Sequence, residues 1–560
     1  MAQTFNATAI LQVDSAGSDT TNAGGFDPAA TFATDLAATL ATGSSPVVTS
    51  ASYNFITRDN AQYLFIKAGT NWVPGLYPVV STSGNAATLN AAVGAIALYL
   101  NGAFTTLNTT AGCATTASPT GGTWGMDYSQ SATPVIAFTD MVIDGTTNTK
   151  FTSALNPVGP HMVGNLILVT SGTGFTVQRT QVLSVSGTTA TCYAALGTVS
   201  STGGNAGLGG CLASPGKAAG VKVSNISLTN PTFLKAGTYS LSTSSNTAGG
   251  EIADVGGLWI GYNTRRTTDN RDAARPLFNA SANSRVLFSS NGSVTMTNVD
   301  FNANSKTGCM AFQCGAYNMR AIRCTAAGAF TNGFYAAFHA CTFVDCYTTG
   351  CVTGFSLTGG NGNIAIGCTA AGGTTGFTLA GIGCSAIDCI AAGNGTLGFG
   401  TASGGSGTLM LNCSAYNNGT SGSGANFYTP TGSACIIRNC IAYTASGSGS
   451  VNYRDATGFT QYENCAGGNA NAGNFSGLDA TAIVENFIPL TANPFASVST
   501  DFSLNSTAGG GALCRAAGFP GAFTGLTTTT SYPDLGAVQS ASAVAGGLLT
   551  HIGMEAGCNG

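Results

Sequence analysis

A unit of about 22 residues recurs through the second half of the chain and constrains the fold more than any other feature. Each copy contains one cysteine and, some residues later, one aromatic residue. Two markers that keep the same period indicate a true structural repeat. The cysteines are Cys324, Cys346, Cys368, Cys389, Cys413, Cys440 and Cys465, and the aromatic residues are Phe334, Phe355, Phe377, Phe399, Phe427, Tyr453 and Phe475.

A repeat of this length is too short for a pair of helices and fits one coil of a three-faced β-solenoid. Gly and Asn concentrate at the expected corners, where positive φ is often needed. Successive coils would pair in register at about 4.8 Å, so the cysteines are predicted to stack as a column inside the core. An Ile/Val/Leu column two residues earlier is predicted to face inward beside it. The predicted fold class is therefore all-β, a single-stranded right-handed parallel β-helix.

Composition agrees with a packed β-fold and excludes several classes of partner. Only 7% of residues are charged and 44% are apolar, with a net charge of −4, whereas disordered chains combine low hydrophobicity with high net charge. No basic stripe is expected, which argues against nucleic acid. The longest apolar stretch, at residues 91–100, is too short to span a membrane. The start MAQTFNATAILQ lacks the features of a secretory signal, so neither membrane insertion nor general export is expected.

The cysteine column admits three interpretations. Buried thiols acting as small hydrophobic groups are favoured. A metal or redox row would need histidines at a fixed spacing or a CxxC motif, and the sequence has neither, so no metal and no cofactor are expected. Disulfides are the third interpretation. Cys341, Cys384 and Cys435 each precede a column cysteine by five residues and suit disulfides better than the parallel side chains of the column.

Two coils depart from the pattern of the Ile/Val/Leu column. Arg438 and Glu463 stand two residues before their column cysteines, where the other coils have an aliphatic residue. One interpretation is a bulge that turns both side chains outward, and the other is a buried ion pair one coil apart. The bulge is favoured, because burying an ion pair carries a large desolvation cost.

The N-terminal third contains a separate duplication. Residues 64–94 align without gaps with residues 167–197, an offset of 103, and both copies alternate around a Gly turn, so each is predicted to be a small β-meander. The tail is either disordered or a docking segment. The predicted domains are a β-rich region at 1–205 with related units at about 46–94 and 149–197, the β-helix at 206–480, its cap at 481–539 and the tail at 540–560.

Asp345 and Asp388 are the candidates for catalysis. Both precede a column cysteine and should face outward two coils apart, about 9.6 Å, close to the carboxylate separation of about 6.5–9.5 Å in inverting glycosidases. The favoured interpretation is a solvated exterior row without catalytic function. Few carboxylates surround the few arginines of the repeat, so the Ca²⁺ site and base of a lyase are not expected.

Tyr347, Tyr416 and Tyr443 are the candidates for binding. They follow column cysteines by one or three residues, which places them on the outward parity of a strand. Such a row could stack on the sugar rings of a glycan, could contact another subunit, or could simply be part of the surface.

Segments at both ends of the repeat carry a family resemblance. They resemble the opening and closing coils of pectate-lyase-like right-handed β-helix proteins, and the whole pattern resembles such proteins of tailed bacteriophages. The segments are KAGTYSLSTSS at 235–245, LWIGYNTRR at 258–266, ARPLF at 274–278, DFSLNSTAGGGALCRAAGFPG at 501–521 and DLGAVQ at 534–539.

The resemblance implies a virion structural protein, namely a capsid decoration, a head fibre or a tail appendage. It would assemble in the host cytoplasm with other capsid or tail proteins, which suits reduced thiols. Host surface polysaccharide is the implied ligand, and homo-oligomerisation stays open. A tailspike-like polysaccharide depolymerase, either a glycoside hydrolase or a lyase, is the first alternative and a bacterial surface adhesin the second. Fold alone does not fix function, and the few catalytic candidates favour a non-enzymatic role.

Overall fold

The structure is a computed structural model, and the chain divides into two compact units, residues 1–363 and 364–560. No helix in the described part has the length and apolar character that a membrane crossing requires. The described residues are 2–6, 8–91, 99–100, 103–104, 112–224, 231–242, 256–263, 274–290, 292–402, 406–419, 424–430, 434–445, 450–456, 459–469, 473–478, 482–497, 501–515, 517–518 and 534–538.

Unit 1 begins with short strands and two β-barrels. The strands are β1 (Ala2–Thr4), β2 (Ile10–Val13), β3 (Gly25–Phe26), β4 (Ala33–Leu40), β5 (Val47–Ser50), β6 (Tyr63–Ala68), β7 (Gly75–Ser83), β8 (Ala86–Leu89), β9 (Tyr99–Leu100), β10 (Ala103–Phe104), β11 (Gly122–Asp127), β12 (Ile136–Ile143), β13 (Lys150–Thr152), β14 (Leu166–Ser171), β15 (Gln178–Ser186), β16 (Thr189–Cys192) and β17 (Gly204–Leu208).

The two duplicated stretches are closed barrels rather than open meanders. Strands β4, β5, β6, β7, β8 and β11 form the first barrel, and β12 to β17 form a second ring that closes through β15 and β16. Strands β4 to β8 begin 103 residues before β12 to β16, so the two barrels have the same element order. Closure comes from the last strand of each copy, because β11 pairs with both β4 and β6 and β17 pairs with both β12 and β14.

The barrels meet at equivalent positions of their short 3-10 helices, Thr57–Asp59 and Pro160–Met162. Arg58 and His161 occupy the same place in the two copies, and Arg58 Nη2 lies 2.9 Å from His161 Nε2. The ring of Tyr53 stacks on the imidazole, with 4.1 Å between ring centroids. Burial, reinforced by the charge of Arg58, lowers the pKa of His161 well below its ordinary value, so the imidazole is neutral and accepts from the guanidinium.

The rest of unit 1 is the first part of a parallel β-solenoid. The elements are α1 (Pro215–Ser224), β18 (Thr232–Lys235), β19 (Gly237–Leu241), β20 (Gly257–Tyr262), β21 (Pro276–Ala280), β22 (Val286–Ser290), β23 (Val294–Thr297), β24 (Asp300–Asn302), β25 (Met310–Cys314), β26 (Arg320–Ile322), β27 (Thr325–Ala327), β28 (Asn332–Ala336), β29 (Thr342–Val344), β30 (Tyr347–Thr349) and β31 (Thr353–Leu357).

Three parallel sheets run through unit 1. The first contains β2, β18, β20, β23, β26 and β29, the second β19, β21, β24, β27 and β30, and the third β22, β25, β28 and β31. Because β2 pairs in parallel with β18, this second strand of the chain belongs to the solenoid and the barrels are inserted after it, while β1 pairs with β15 of the second barrel. The side chains of Phe65 and Leu76 on the first barrel pack with Phe233 and Ile260 of the first sheet.

Unit 2 repeats the three-sheet plan. Its elements are β32 (Ile364–Ile366), β33 (Thr369–Ala371), β34 (Thr375–Leu379), β35 (Ser385–Ile387), β36 (Ile390–Ala392), β37 (Leu397–Thr401), β38 (Ser406–Leu411), β39 (Ser414–Tyr416), β40 (Ala425–Thr429), β41 (Ala434–Arg438), β42 (Ile441–Tyr443), β43 (Val451–Asp455), β44 (Thr460–Glu463), β45 (Ala466–Gly468), β46 (Phe475–Ser476), β47 (Ile483–Glu485), β48 (Ile488–Leu490), β49 (Phe495–Ser497), β50 (Asp501–Leu504) and α2 (Gly511–Cys514).

The sheets of unit 2 follow the same order along the chain. The first contains β32, β35, β38, β41, β44 and β47, the second β33, β36, β39, β42, β45 and β48, and the third β34, β37, β40, β43 and β46. The parallel β-solenoid expected from the repeat is therefore confirmed. Its right-handed winding and the domain limits stay predictions, and the predicted tail at 540–560 lies outside the described residues.

The cysteine column is buried, as predicted, in both units. Its thiols donate to carbonyl groups of the preceding coil, since Cys346 Sγ lies 3.3 Å from Ala321 O and Cys413 Sγ lies 3.4 Å from Ala386 O. Burial raises the pKa of both Cys324 and Cys413 well above the ordinary value, so these thiols stay protonated at neutral pH. They contribute apolar volume and weak hydrogen bonds.

The aromatic marker of the repeat forms a second inner column, on the third sheet. In unit 1, the rings of Phe334 and Phe355 stack with centroids 5.2 Å apart. In unit 2, Phe399 lies between Phe377 at 4.7 Å and Phe427 at 5.0 Å, with nearly parallel rings. Each coil therefore gives one ring to a continuous stack within its unit, and these rings supply most of the apolar surface that a coil buries.

The Ile/Val/Leu residues two positions before the cysteines face outward, contrary to the prediction. In unit 2 the inward positions of the first sheet belong instead to Ala365, Ala386, Met410 and Ile437, which are fully buried, while Ile366 is half-buried. The reason is that the strand ends at the aliphatic residue. A corner of two residues follows it, and this corner breaks the strict alternation that the prediction assumed.

Arg438 and Glu463 belong to this outward row and need no bulge. They are directly paired in register between β41 and β44, and Arg438 Nε lies 2.5 Å from Glu463 Oε2. Their side chains are 33% and 18% exposed, so the favoured bulge is wrong and the ion pair forms at the surface instead of in the core. The desolvation cost that argued against the pair is thereby much reduced.

Candidate ligand-binding face of unit 1

The residue before each column cysteine turns the corner between the first and second sheets with positive φ. In unit 1 these residues are Arg323 and Asp345, with φ of 52° and 50°, and Asn298, which precedes Val299 at the equivalent corner, has φ of 56°. In unit 2, Asp388 and Asn412 have φ of 53° and 52°. Asn, Asp and Gly tolerate this left-handed conformation best. Asp345 and Asp388, the predicted catalytic pair, therefore both have a conformational reason for their positions.

The two aspartates differ in their surroundings. Asp345 is exposed in unit 1, whereas Asp388 is half-buried in unit 2 and accepts a hydrogen bond of 3.0 Å from Asn412 Nδ2 at the next corner. The carboxylate of Asp388 thus takes part in a hydrogen bond between two turn residues of successive coils. Asp345 is the more accessible carboxylate for a ligand.

We call the residues around this corner in unit 1 the charged edge: Arg275, Asp300, Arg323, Asp345 and Tyr347. Arg275 Nη1 lies 3.6 Å from Asp300 Oδ1 and donates to the carbonyl of Arg323 at 2.8 Å. Arg323 Nε is buried without a protein hydrogen-bond partner. The edge therefore presents charges of both signs that are held in place by contacts between successive coils.

Tyr347 is the predicted binding residue that the structure leaves accessible. It begins β30 and pairs in register with Thr325, which in turn pairs with Asp300. Thr325 Oγ1 donates to Asp300 Oδ1 at 2.7 Å. The side chain of Tyr347 is 42% exposed. Within the charged edge, the exposed phenol of Tyr347 therefore lies on the side of the carboxylates.

Tyr416 and Tyr443 are not accessible, so the expectation that all three tyrosines lie open on the surface is wrong for these two. Both keep the outward parity of the second sheet in unit 2, and their rings stack at 6.3 Å. They are only 8% and 6% exposed, because residues such as Phe495, Phe502 and Leu535 from the C-terminal part of the chain cover them. Burial raises the pKa of both phenols.

A second group of exposed aromatic side chains lies at the other end of the first-sheet strands in unit 1. Tyr317 and Phe338 are 56% and 39% exposed. His339 stacks on Tyr317, with ring centroids 5.4 Å apart and planes 10° apart, and Phe338 meets Tyr317 edge to face at 5.6 Å. We call Tyr317, Phe338 and His339 the aromatic edge. Two exposed rings and the half-buried imidazole that stacks on one of them form a continuous aromatic surface.

The aromatic edge is held by backbone contacts between coils. The amide of Asn361 donates to His339 Nδ1 at 2.9 Å, so the ring proton of a neutral His339 is on Nε2. Gly360 packs flat against the main chain of Phe338, where an added Cβ would lie 2.6 Å from the carbonyl carbon. Any larger residue at 360 would displace this corner.

Sequence reasoning missed the aromatic edge, although a signal was present. Tyr317 and His339 are 22 residues apart, the spacing of the cysteine column at that point, and each precedes a first-sheet strand by three residues. His339 belongs to no row of histidines at a fixed spacing, so the test for metal ligands gave it no role. Alignment on the repeat instead of a search for metal spacing would have placed it beside Tyr317.

The first sheet of unit 1 joins the two edges. Its outward side chains are mostly polar: Thr295 pairs with Arg320, and Arg320 pairs with Thr342. A strand of three residues is about 7 Å long, so the edges flank a narrow strip along successive coils. The strip has rings on one side, hydroxyl and guanidinium groups in the middle and charges on the other side. These are the groups that hydrogen-bond and stack on sugars.

The other candidate chemistries find no geometric support in the described residues. No group of three or more His, Cys, Asp or Glu side chains there could hold a metal ion. Cys341, Cys384 and Cys435, the candidates for disulfides, are buried and form no disulfide. They belong to the interior like the column cysteines.

Comparisons with known proteins concern the fold. No protein-family model matches the chain, and no curated protein matches it. The solved A-module of mannuronan C-5 epimerase AlgE4 from Azotobacter vinelandii is 14% identical over 51% of this chain and 78% of its own, with a TM-score of 0.34. Pectate lyase Pel9A is 18% identical over 55% of this chain and 87% of its own, with a TM-score of 0.30.

A phage protein is among the solved structures with a similar fold. The tailspike protein of Acinetobacter phage vB_ApiP_P1 is 12% identical over 49% of this chain and 55% of its own, with a TM-score of 0.32. The match thus spans about half of that tailspike. Similarity to a pectate lyase and to a phage tailspike agrees with the fold resemblance read from the sequence. At such identities it assigns no activity.

Proposed function

We propose that the chain is a virion component of a tailed bacteriophage that binds a host surface glycan through the face of unit 1 between the aromatic edge and the charged edge. The aromatic edge is the observation that carries the binding proposal. Tyr317, Phe338 and His339 expose ring surface that the fold itself does not use. Exposed large apolar groups in contact with one another mark interaction sites.

A glycan fits this face better than a protein or a nucleic acid. Sugar rings have an apolar face that stacks on aromatic rings and hydroxyl groups that need donors and acceptors at the rim. The strip provides both, because polar side chains such as Thr295, Arg320 and Thr342 lie beside the rings. The chain carries a net charge of −4, which disfavours a polyphosphate partner.

The virion assignment rests on the phage-like pattern of the sequence together with the β-solenoid. Hydrogen bonds join every coil to the next within each unit, so the binding face is presented on a stiff support. Position on the capsid or tail, self-association and contacts with other virion proteins are parts of this proposal. Antibody labelling of purified particles tests it, and particles that carry no label would contradict it.

The binding test uses purified host surface polysaccharide and the intact chain. Removing one stacked ring costs about 0.5–1.5 kcal/mol, so Tyr317→Ala and Phe338→Ala should each raise the Kd about threefold to tenfold. Tyr193→Ala is the matched control, because Tyr193 is 47% exposed but lies outside the face. Equal affinities for all variants would refute the glycan site.

Cleavage of the bound glycan is the second candidate function. The observation in its favour is the exposed position of Asp345, between Arg323 and Tyr347 on the charged edge. Asp345→Asn should then abolish the release of shorter fragments, measured by size-exclusion chromatography of the polysaccharide, and Asp388→Asn is measured separately in the same way. Fragment release that persists in the Asp345 variant would show that this carboxylate is not catalytic.

A further inference from the structure

The outward face of the second sheet in unit 2 is covered by the C-terminal part of the chain. Ile441 is fully buried there, and Tyr416 and Tyr443 are nearly so. They pack in one cluster with Leu490, Phe495, Phe502, Leu504, Cys514 and Leu535. The chain therefore closes one apolar outer face of unit 2 with its own later residues.

The outward face of the neighbouring first sheet is also apolar but only half-buried. We call six of its side chains the aliphatic rows: Ile364, Ile366, Ile387, Leu409, Leu411 and Ile436. They form two lines across the coils, because β32, β35, β38 and β41 pair in register. Solvent-facing positions of a sheet are ordinarily polar, so rows of this composition indicate a contact.

The last described residues lie at the edge shared by the two faces. The amide of Gly536 donates to the carbonyl of Asn439 at 2.8 Å, and the amide of Ala537 donates to Ser414 Oγ at 3.0 Å. Asn439 is the corner residue that joins β41 of the first sheet to β42 of the second. Val538 itself packs against the covered cluster of the second sheet, so the described chain ends one corner away from the aliphatic rows.

Residues 539–560 have the length and composition to continue onto those rows. Fully extended, such a segment reaches about 70 Å, whereas the rows span four strands, about 14 Å. The segment contains no Lys or Arg, and its only acidic residue is Glu555. Its large apolar residues are Val544, Leu548, Leu549, Ile552 and Met554.

We propose that residues 540–560 bind across the aliphatic rows of unit 2 and complete the covering that Leu490, Phe495, Phe502, Leu504 and Leu535 begin on the second sheet. The binding free energy would come from the apolar surface that the segment and the rows remove from water. The segment is the occupant that the observations favour, because the chain is already tied near the corner, so its binding is intramolecular and avoids the entropy loss of associating with a separate molecule.

Hydroxyl-radical footprinting of the purified chain tests this proposal. In the full chain, labelling of Ile387 and Leu411 should be slow. Truncation after Gln539 should raise it several-fold, while labelling of Ile322 and Val344, outward residues of the first sheet in unit 1, should not change. Unaltered labelling of Ile387 and Leu411 after truncation would overturn the proposal.

A second variant and a concentration series separate the remaining outcomes. Leu548→Ser with Leu549→Ser keeps the chain at full length and should expose the rows as the truncation does, so a folding defect of the truncated chain is distinguishable by circular dichroism. If protection of the rows survives in both variants but falls on dilution, a second copy covers them and the proposal is wrong.

Discussion

The first sheet has the same inward side in both units but two different outward sides. In unit 1 its outward positions carry Thr295, Arg320 and Thr342 in one line and Ile322 and Val344 in the other, and exposed rings flank it. In unit 2 the corresponding positions carry the aliphatic rows. The backbone path, the cysteine column and the aromatic column are common to both. The inward residues therefore determine the fold, and the outward residues are free to differ in function.

This difference assigns separate tasks to the two units. A polar strip beside exposed rings suits a ligand that is itself hydrated, because hydrogen bonds at the rim can be exchanged for those with water. Aliphatic rows suit permanent covering, since apolar surface gains most when water is removed altogether. The same repeat thus builds a face that stays open to solvent in unit 1 and a face that we expect to be covered in unit 2.

The largest effects should come from the inner aromatic column and should be equal in the two units. Phe334→Ala in unit 1 and Phe399→Ala in unit 2 each remove a fully buried ring, which should lower the free energy of unfolding by about 3–5 kcal/mol. Urea denaturation followed by circular dichroism measures this. Phe338→Ala, on the exposed aromatic edge, is the control and should change stability little. A large loss in only one unit would break the claim of a common interior.

The direction of the first-sheet side chains gives the next largest effect. Ala386 is fully buried, so Ala386→Leu should overfill the core and lower the free energy of unfolding by about 1–3 kcal/mol. Ser385→Leu adds similar volume on the outward side and should be nearly neutral. Ala321→Leu tests the same position in unit 1. If Ser385→Leu were the more harmful change, the inward and outward assignments would be reversed.

The smallest effect concerns the coils where the aliphatic rows end. Arg438→Ile leaves Glu463 half-buried without its partner and should lower the free energy of unfolding by about 1 kcal/mol. Adding Glu463→Ile should recover most of this loss, as for other ion pairs replaced by apolar residues. The double variant extends the aliphatic character of unit 2 by two coils. Thermal unfolding at low and high salt measures the pair, since salt weakens exposed ion pairs. If the double variant were less stable than the single one, the claim that Arg438 and Glu463 interact only with each other would be wrong.

The sequence was sufficient for the solenoid because each coil offers the same inward residues at the same spacing. The sequence led to the wrong side for the aliphatic residues. The reason is that two corner residues separate them from the next strand, so the alternation of inward and outward side chains does not continue across the corner. Asp345, Gly367 and Asp388 before the cysteines were the signal of that corner, since such residues favour positive φ. Reading them as a surface row, and not as a turn, placed Ile366 on the wrong side.

Other features depend on contacts that local patterns do not encode. The covering of Tyr416 involves Phe495 and Leu535, which are far away in sequence, so outward parity could not reveal its burial. Closure of the first barrel needs β11 to pair with β4, across a long intervening stretch. The aromatic edge was within reach, because Tyr317 and His339 follow the period of the repeat.

The contact between Arg58 and His161 also bears on how the barrels arose. If two identical barrels associated in this way, equivalent positions would meet, and an arginine would face its own copy. Two guanidinium groups so close would repel each other. Tandem gene duplication and fusion remove that restriction, because each half then mutates by itself. A neutral imidazole opposite the guanidinium is the kind of divergence that such a history allows.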